Sequence, residues 1–122
     1  MQSIEGNPGL LTPQDFAKYE VKARDPACGP YRAFIVCSMG EPSSGGLTLL
    51  QMLGMLEHFD ISQQNAQSWH IIAQASALAF ADRAIYMADP DFVNTPNVAL
   101  LNPDYLKSRA ALIKTDQPLE VQ

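Results

Sequence analysis

Residues 66–87 constrain the fold most. They form the longest helical pattern in the chain and hold seven alanines, at 66, 73, 75, 77, 79, 81 and 84. Alanine has the highest helix propensity, and its small side chain lets neighbouring helices come close. Trp69, Ile72, Ala79, Phe80 and Arg83 recur near helical spacing and are expected to mark the packed stripe, with Trp69 a core or interface anchor. Asp89-Pro90-Asp91 ends the pattern. A second helix is expected over residues 47–59, with Leu49, Met52, Leu53 and Leu56 as its stripe and Leu50 and Met55 off it. Asn102-Pro103-Asp104 caps a last helix reaching about Ile113, and the tail from Lys114 reads as frayed.

Ahead of these helices the signals change. Residues 1–11 are turn-rich, punctuated by Gly6-Asn7-Pro8-Gly9. Thr12-Pro13-Gln14-Asp15 then reads as a helix start, with Thr12 as N-cap, Pro13 at the first helical position and Asp15 complementing the dipole; this helix ends near Tyr19. Two extended runs follow, at residues 20–24 and 31–39, and Gly29-Pro30 between them predicts a hairpin turn. The second run is apolar almost throughout, as a strand buried on both faces would be. With the turn at Gly29-Pro30, Cys28 would sit at the bend and Cys37 well up one strand, so both are expected as free, packed thiols. The fold class is α+β, mainly α: a short N-terminal helix and a β-hairpin followed by three helices. Residues 1–122 form a single segment without an internal boundary.

Charge narrows the partners. Only 17% of residues are charged, below the usual quarter, which points to a surface partly covered by something else. Net charge is −5 and the eight Lys and Arg residues are scattered, so there is no basic stripe for nucleic acid. No run is apolar and long enough to span a membrane, and the N-terminus carries neither a basic start nor a signal core. Two cysteines and two histidines lack the paired spacing of a zinc site, so neither metal nor cofactor is implied.

Glu41-Pro42-Ser43-Ser44-Gly45-Gly46 runs straight into an apolar helix and allows three readings. Ser43 or Ser44 could cap the helix, the helix start could hold an anion, or a serine could be a nucleophile. The P-loop lysine is absent after Gly46, and no histidine is near in sequence. Asp82-Arg83, Asp89 and Asp91 form a second cluster, suited to ion pairing and helix ending, or, at Asp89 and Asp91, to holding a cation or serving as acid and base. His58 and His70 read as surface or packed histidines.

Taken together, the motifs are more specific than any one of them. Gly9-Leu10-Leu11-Thr12, Asp15-Phe16, Gly29-Pro30-Tyr31-Arg32, Ser38-Met39, Pro42-Ser43-Ser44-Gly45-Gly46, Leu50-Gln51-Met52-Leu53, Ala81-Asp82-Arg83 and Asp89-Pro90-Asp91-Phe92 occur in that order. In order and spacing the chain resembles the γ-glutamyltranspeptidase family, specifically the C-terminal part of its large subunit, from about residue 9 to residue 110. The resemblance implies an N-terminal-nucleophile hydrolase fold of α/β/β/α layers, made as a precursor that cuts itself into large and small subunits. It implies transfer of the γ-glutamyl group of glutathione-type amides through a threonine acyl-enzyme. It also implies export to the periplasm or cell surface.

The nucleophilic threonine would lie downstream of this region. Thr12, Thr48, Thr95 and Thr115 do not stand in the family's Thr-Thr-His type junction. No catalytic, substrate-binding or metal residue is therefore carried over. Pro42, Ser43, Ser44, Gly45 and Gly46 are expected as a structural turn and helix start. Glu41 departs from the prolines usual before this turn and would repel an anion there.

The expected partners are the remainder of the large subunit and the small subunit, with self-association of the isolated segment through its apolar faces. Three alternatives remain: an acylase-type relative acting on another amide, a non-catalytic interaction module with the same fold, and a small serine hydrolase using Ser43 or Ser44.

Overall fold

The first helix of the computed structural model, which describes residues 9–117, is set by its cap. The turn-rich start up to Pro8 and the tail from Pro118 lie outside the described residues. Thr12 Oγ1 accepts from the Asp15 amide at 3.3 Å, and Asp15 Oδ2 accepts from the Thr12 amide at 2.7 Å. This reciprocal pair satisfies two donors that a helix start otherwise leaves open. The helix, α1, spans Pro13–Ala17 and buries none of its residues.

The hairpin differs from the sequence expectation. Its strands are β1 (Ala27–Tyr31) and β2 (Phe34–Ser38), antiparallel, and residues 20–24 are not a strand. Gly29-Pro30 lies inside β1, and the connection is Arg32-Ala33, with Arg32 in the left-handed region at φ 53°. The Arg32 amide donates to Glu57 Oε1, which ties this strained turn to the end of the following helix. The register places Cys28 opposite Cys37 with Cα atoms 4.1 Å apart, and the two form a disulfide. The expectation of free thiols therefore fails, because moving the turn from Gly29-Pro30 to Arg32-Ala33 brings the two cysteines face to face. So close a Cα approach marks a pair lying between ladder hydrogen bonds. Pro30↔Ile35, two residues on, is a pair of the same kind, so the N–H that Pro30 lacks is not missed.

Helix α2 (Gly45–Leu56) is the hub, contacting the hairpin, α3 (Ala66–Tyr86), the one-turn α4 (Asn97–Leu100) and α5 (Pro103–Ala110). The short α4 adds a helix to the three expected after the hairpin. Only one hairpin face meets α2: a Cβ on Gly29 would lie 3.1 Å from Leu50 Cδ2. The other face, with Cys28, Pro30, Ile35 and Cys37, is open, so burial of β2 on both faces is not met within these residues.

The core joins Met55 and Leu56 of α2, Ile71, Ala75, Leu78 and Ala79 of α3, and Leu106, Ala110 and Ile113. Gly54 and the alanines allow this close approach; a Cβ on Gly54 would sit 2.5 Å from Leu106 Cδ1. Both expected stripes shift. In α2 it is Leu47, Leu50, Met55 and Leu56 that are buried, while Leu49, Met52 and Leu53 are half-buried. In α3 the inner face is Ser68, Ile71, Gln74, Ala75, Leu78, Ala79 and Asp82, and Trp69 is 63% exposed with Phe80 also outside. Gln74 and Asp82 face inward here because each finds a partner there.

Candidate functional site

The PSSGG turn meets the end of α3. Ser43 donates its amide to the Gly40 carbonyl at 3.2 Å, and its Oγ accepts from the Gly45 amide at 3.3 Å. Ser44 occupies the N-cap of α2, but its side chain makes no cap bond there. Its Oγ instead accepts from Arg83 Nε at 2.7 Å, which links the start of α2 to the last turn of α3. Gly46 is required by contact, since a Cβ there would stand 2.2 Å from the Met39 carbonyl oxygen. Pro42 follows a cis peptide bond from Glu41.

Neither histidine reaches these serines. His58 lies beyond the opposite end of α2, roughly 20 Å away along the helix by its rise per residue. His70 sits thirteen residues before Arg83 on α3, and its Nε2 meets the Lys114 and Gln117 carbonyls at 3.0 and 3.1 Å. The group bonded to Ser44 is a guanidinium, which cannot accept a proton, so that partner does not serve as a base.

The acidic cluster near Asp89 is paired. Asp91 Oδ2 accepts from Lys22 Nζ at 2.6 Å and from Arg24 at 2.8 Å, and Arg24 also approaches Asp89 at 3.7 Å. The hydrogen bond from Lys22, then that from Arg24, holds the Asp91 carboxyl below its ordinary range. These contacts fasten residues 22–24 to the loop after α3. They line an open cavity of about 770 Å³ together with Tyr19, Met39 and Ser43. No group of three His, Cys, Asp or Glu able to hold a metal occurs among the described residues.

Two polar centres draw on partners that the sequence reading did not name. The first is Asp82, 3% exposed, which gathers three helices. Its Oδ2 accepts from Gln51 Nε2 and from the Tyr105 hydroxyl, each at 2.8 Å, and its Oδ1 pairs with Arg109 at 2.8 Å. Arg109 also donates to the Leu78 carbonyl at 3.1 Å. A signal existed: Gln51 lies midway between Leu47 and Met55 at helical spacing, and Asp82 four residues after Leu78. The second centre is Glu41, buried against Thr95 and Asn97, more than fifty residues away in sequence.

This arrangement of turn, hairpin and helices is shared with known proteins. The family model of gamma-glutamyltranspeptidase matches residues 1–122. The chain belongs to the gamma-glutamyltranspeptidase family. It is 43% identical over 112 residues to the glutathione hydrolase proenzyme of Bacillus subtilis (strain 168), covering 89% of this chain and 19% of that protein. The acylase ACY 1 proenzyme of Pseudomonas sp. (strain SE83) is 39% identical over 117 residues, or 93% of this chain and 21% of that one. Among solved structures, the gamma-glutamyltranspeptidase of Helicobacter pylori superimposes with a TM-score of 0.81 at 41% identity, over 89% of this chain and 32% of that chain. The chain thus spans about a fifth of the length of these curated relatives. As a gamma-glutamyltranspeptidase segment, its described residues contain no helix long and apolar enough to cross a membrane.

Proposed function

We propose that these residues are the C-terminal part of the large subunit of a γ-glutamyltransferase or hydrolase, contributing scaffold and subunit interface rather than chemistry. The observation that carries this is the match to glutathione hydrolase proenzymes at about 43% identity over a fifth of their length. In the parent enzyme a threonine supplied from outside these residues attacks the γ-glutamyl amide and releases the amine. The resulting acyl-enzyme passes its γ-glutamyl group to water or to an amino acid. Among the described residues neither histidine reaches Ser43 or Ser44, and Ser44 Oγ is held by Arg83, which counts against the serine-hydrolase alternative. The role of Pro42 to Gly46 is then to start α2 and hold it against Met39 and Arg83.

The outward apolar residues are the surface offered to the rest of the enzyme. Phe34, Ile35 and Met39 on and after β2, and Trp69, Phe80 and Ile85 on α3, are all more than half exposed. Alone, the chain is expected to self-associate through them; a clean monomer in light scattering at high concentration argues against this. The disulfide fits maturation in an oxidising compartment, in keeping with a periplasmic or extracellular parent.

The test is a graft. The chain replaces the matched residues of the Bacillus subtilis glutathione hydrolase proenzyme, and release of p-nitroaniline from a γ-glutamyl anilide is followed. The graft is expected to mature and turn over, and the chain alone to do neither. Turnover by the chain alone refutes the scaffold role, and a folded graft that fails to mature refutes the placement. The acylase relative supports a second reading, in which the parent acts on a different amide such as a β-lactam side chain. It is favoured if the parent enzyme cleaves that amide and leaves γ-glutamyl amides intact.

A further inference from the structure

A two-stranded hairpin presents a row of backbone groups along each edge, and the edges here are not alike. Because Cys28↔Cys37 and Pro30↔Ile35 lie between ladder hydrogen bonds, the main-chain groups of these residues point away from the hairpin. On the β1 side that edge is blunted: Pro30 has no N–H, and Leu101 and Pro103 share with it the lining of a cavity of about 580 Å³. On the β2 side Ile35 and Cys37 keep both donor and acceptor, and neither makes a backbone hydrogen bond outside the hairpin among the described residues. Phe34 and Ile35 are each 71% exposed, so this edge stands clear. No charge lies between Phe34 and Met39, although charge is what commonly guards an open edge.

We propose that β2 is a docking edge for β2 of a second copy, the strands running antiparallel about a two-fold axis at Val36. In that register Ile35 of one copy faces Cys37 of the other, and each such pair exchanges its open hydrogen bonds. Phe34 comes opposite Ser38 and diagonal to Val36, and Met39 comes opposite Ala33. The exposed Phe34, Ile35 and Met39 thus all gain cross-strand neighbours. Charge fits the same register. Arg32, which forms no salt bridge among the described residues, is carried toward the Ser38-Met39 end of the second copy. The cavity lined there by Ser38 and Met39 holds Glu20, Glu41, Asp89 and Asp91 against only Lys22 and Arg24, an excess of negative charge. The contact is isologous, and Pro30 on the outer edge of each β1 stops further strand addition, so the assembly closes as a dimer. This inference rests on the self-association proposed above and gives it a place and a register.

The chain is followed by sedimentation equilibrium and by residue-resolved hydrogen exchange in NMR, at concentrations above and below half-dimerisation. A monomer–dimer equilibrium is expected, with the Ile35 and Cys37 amides exchanging freely in the monomer and protected in the dimer. Ile35→Pro removes an outward N–H and spares the ladder, as Pro30 does opposite it. The two-fold axis repeats that loss, so the dimer Kd should rise at least about tenfold. Arg32→Glu should raise it as well. Circular dichroism and the absence of free thiol establish that each variant keeps its hairpin. A folded Ile35→Pro that dimerises like the native chain overturns the β2 edge, and loss of the dimer in Trp69→Glu instead would move self-association to α3. An unaffected Arg32→Glu overturns the register. Protection of both amides in the monomer would mean that another segment of the chain covers the edge, and overturns the docking. A monomer at every concentration overturns this inference and the self-association together.

Discussion

The hydroxyl of Tyr105 donates to Asp82 Oδ2 at 2.8 Å, joining α5 to a carboxylate that α3 holds inside the molecule. Burial first, and the bond to Asp82 second, raise the Tyr105 hydroxyl from 10.0 to about 12. The raised value means that folding favours the protonated phenol. The stabilisation is complete below the ordinary pKa of 10.0 and is lost as pH rises through about 12. Spectrophotometric titration at the phenolate band should show one of the four tyrosines ionising near 12. That late step should vanish in Tyr105→Phe, and its persistence there would assign it to another tyrosine.

Asp82 serves Gln51, Tyr105 and Arg109 at once. Asp82→Ala leaves the half-buried Arg109 guanidinium uncompensated and strips Gln51 and Tyr105 of their acceptor, and urea denaturation is expected to show a loss of about 3 kcal/mol. Asp82→Asn, which keeps one acceptor oxygen, should lose less. Equal losses in the two would show that the charge of Asp82 is not what matters.

The paired glycines of PSSGG should separate cleanly. Gly46→Ala sets a methyl against the Met39 carbonyl and is expected to cost about 1–3 kcal/mol. Gly45→Ala meets nothing closer than Ser43 Oγ at 3.5 Å and should change stability by no more than about 1 kcal/mol. Denaturation midpoints of the two variants decide this, and a reversed order would contradict the contact at Met39.

Thiol titration of the denatured, unreduced chain should find no free cysteine, since Cys28 and Cys37 are paired. The double variant Cys28→Ser/Cys37→Ser opens a short loop, with a sequence separation of 9. The entropy of closing such a loop sets the expected loss at about 2–3 kcal/mol. An unchanged denaturation midpoint would mean that α2 alone fixes the hairpin.

The sequence by itself determined the features whose causes lie within one turn of chain. Thr12 and Asn102 capped their helices as their neighbours dictate, Asn102 Oδ1 accepting from the Asp104 and Tyr105 amides. The alanine-rich run gave α3 to within a residue at its end, because propensity sums over a long uninterrupted window. The ordered motifs also carried the family. Tertiary structure alone decided the hairpin register, since shifting the turn from Gly29-Pro30 to Arg32-Ala33 changes every cross-strand partner and creates the disulfide. It also decided which face of α3 turns inward. Periodicity counts apolar residues, whereas burial of Gln74 and Asp82 depends on partners 27 to 40 residues away on Gln51, Arg109 and the Lys114 backbone. Glu41 is the extreme case: it lies beside a turn in sequence, yet its environment is made by Thr95 and Asn97. Local chemistry fixes where elements begin, and only packing fixes which polar groups can be brought inside.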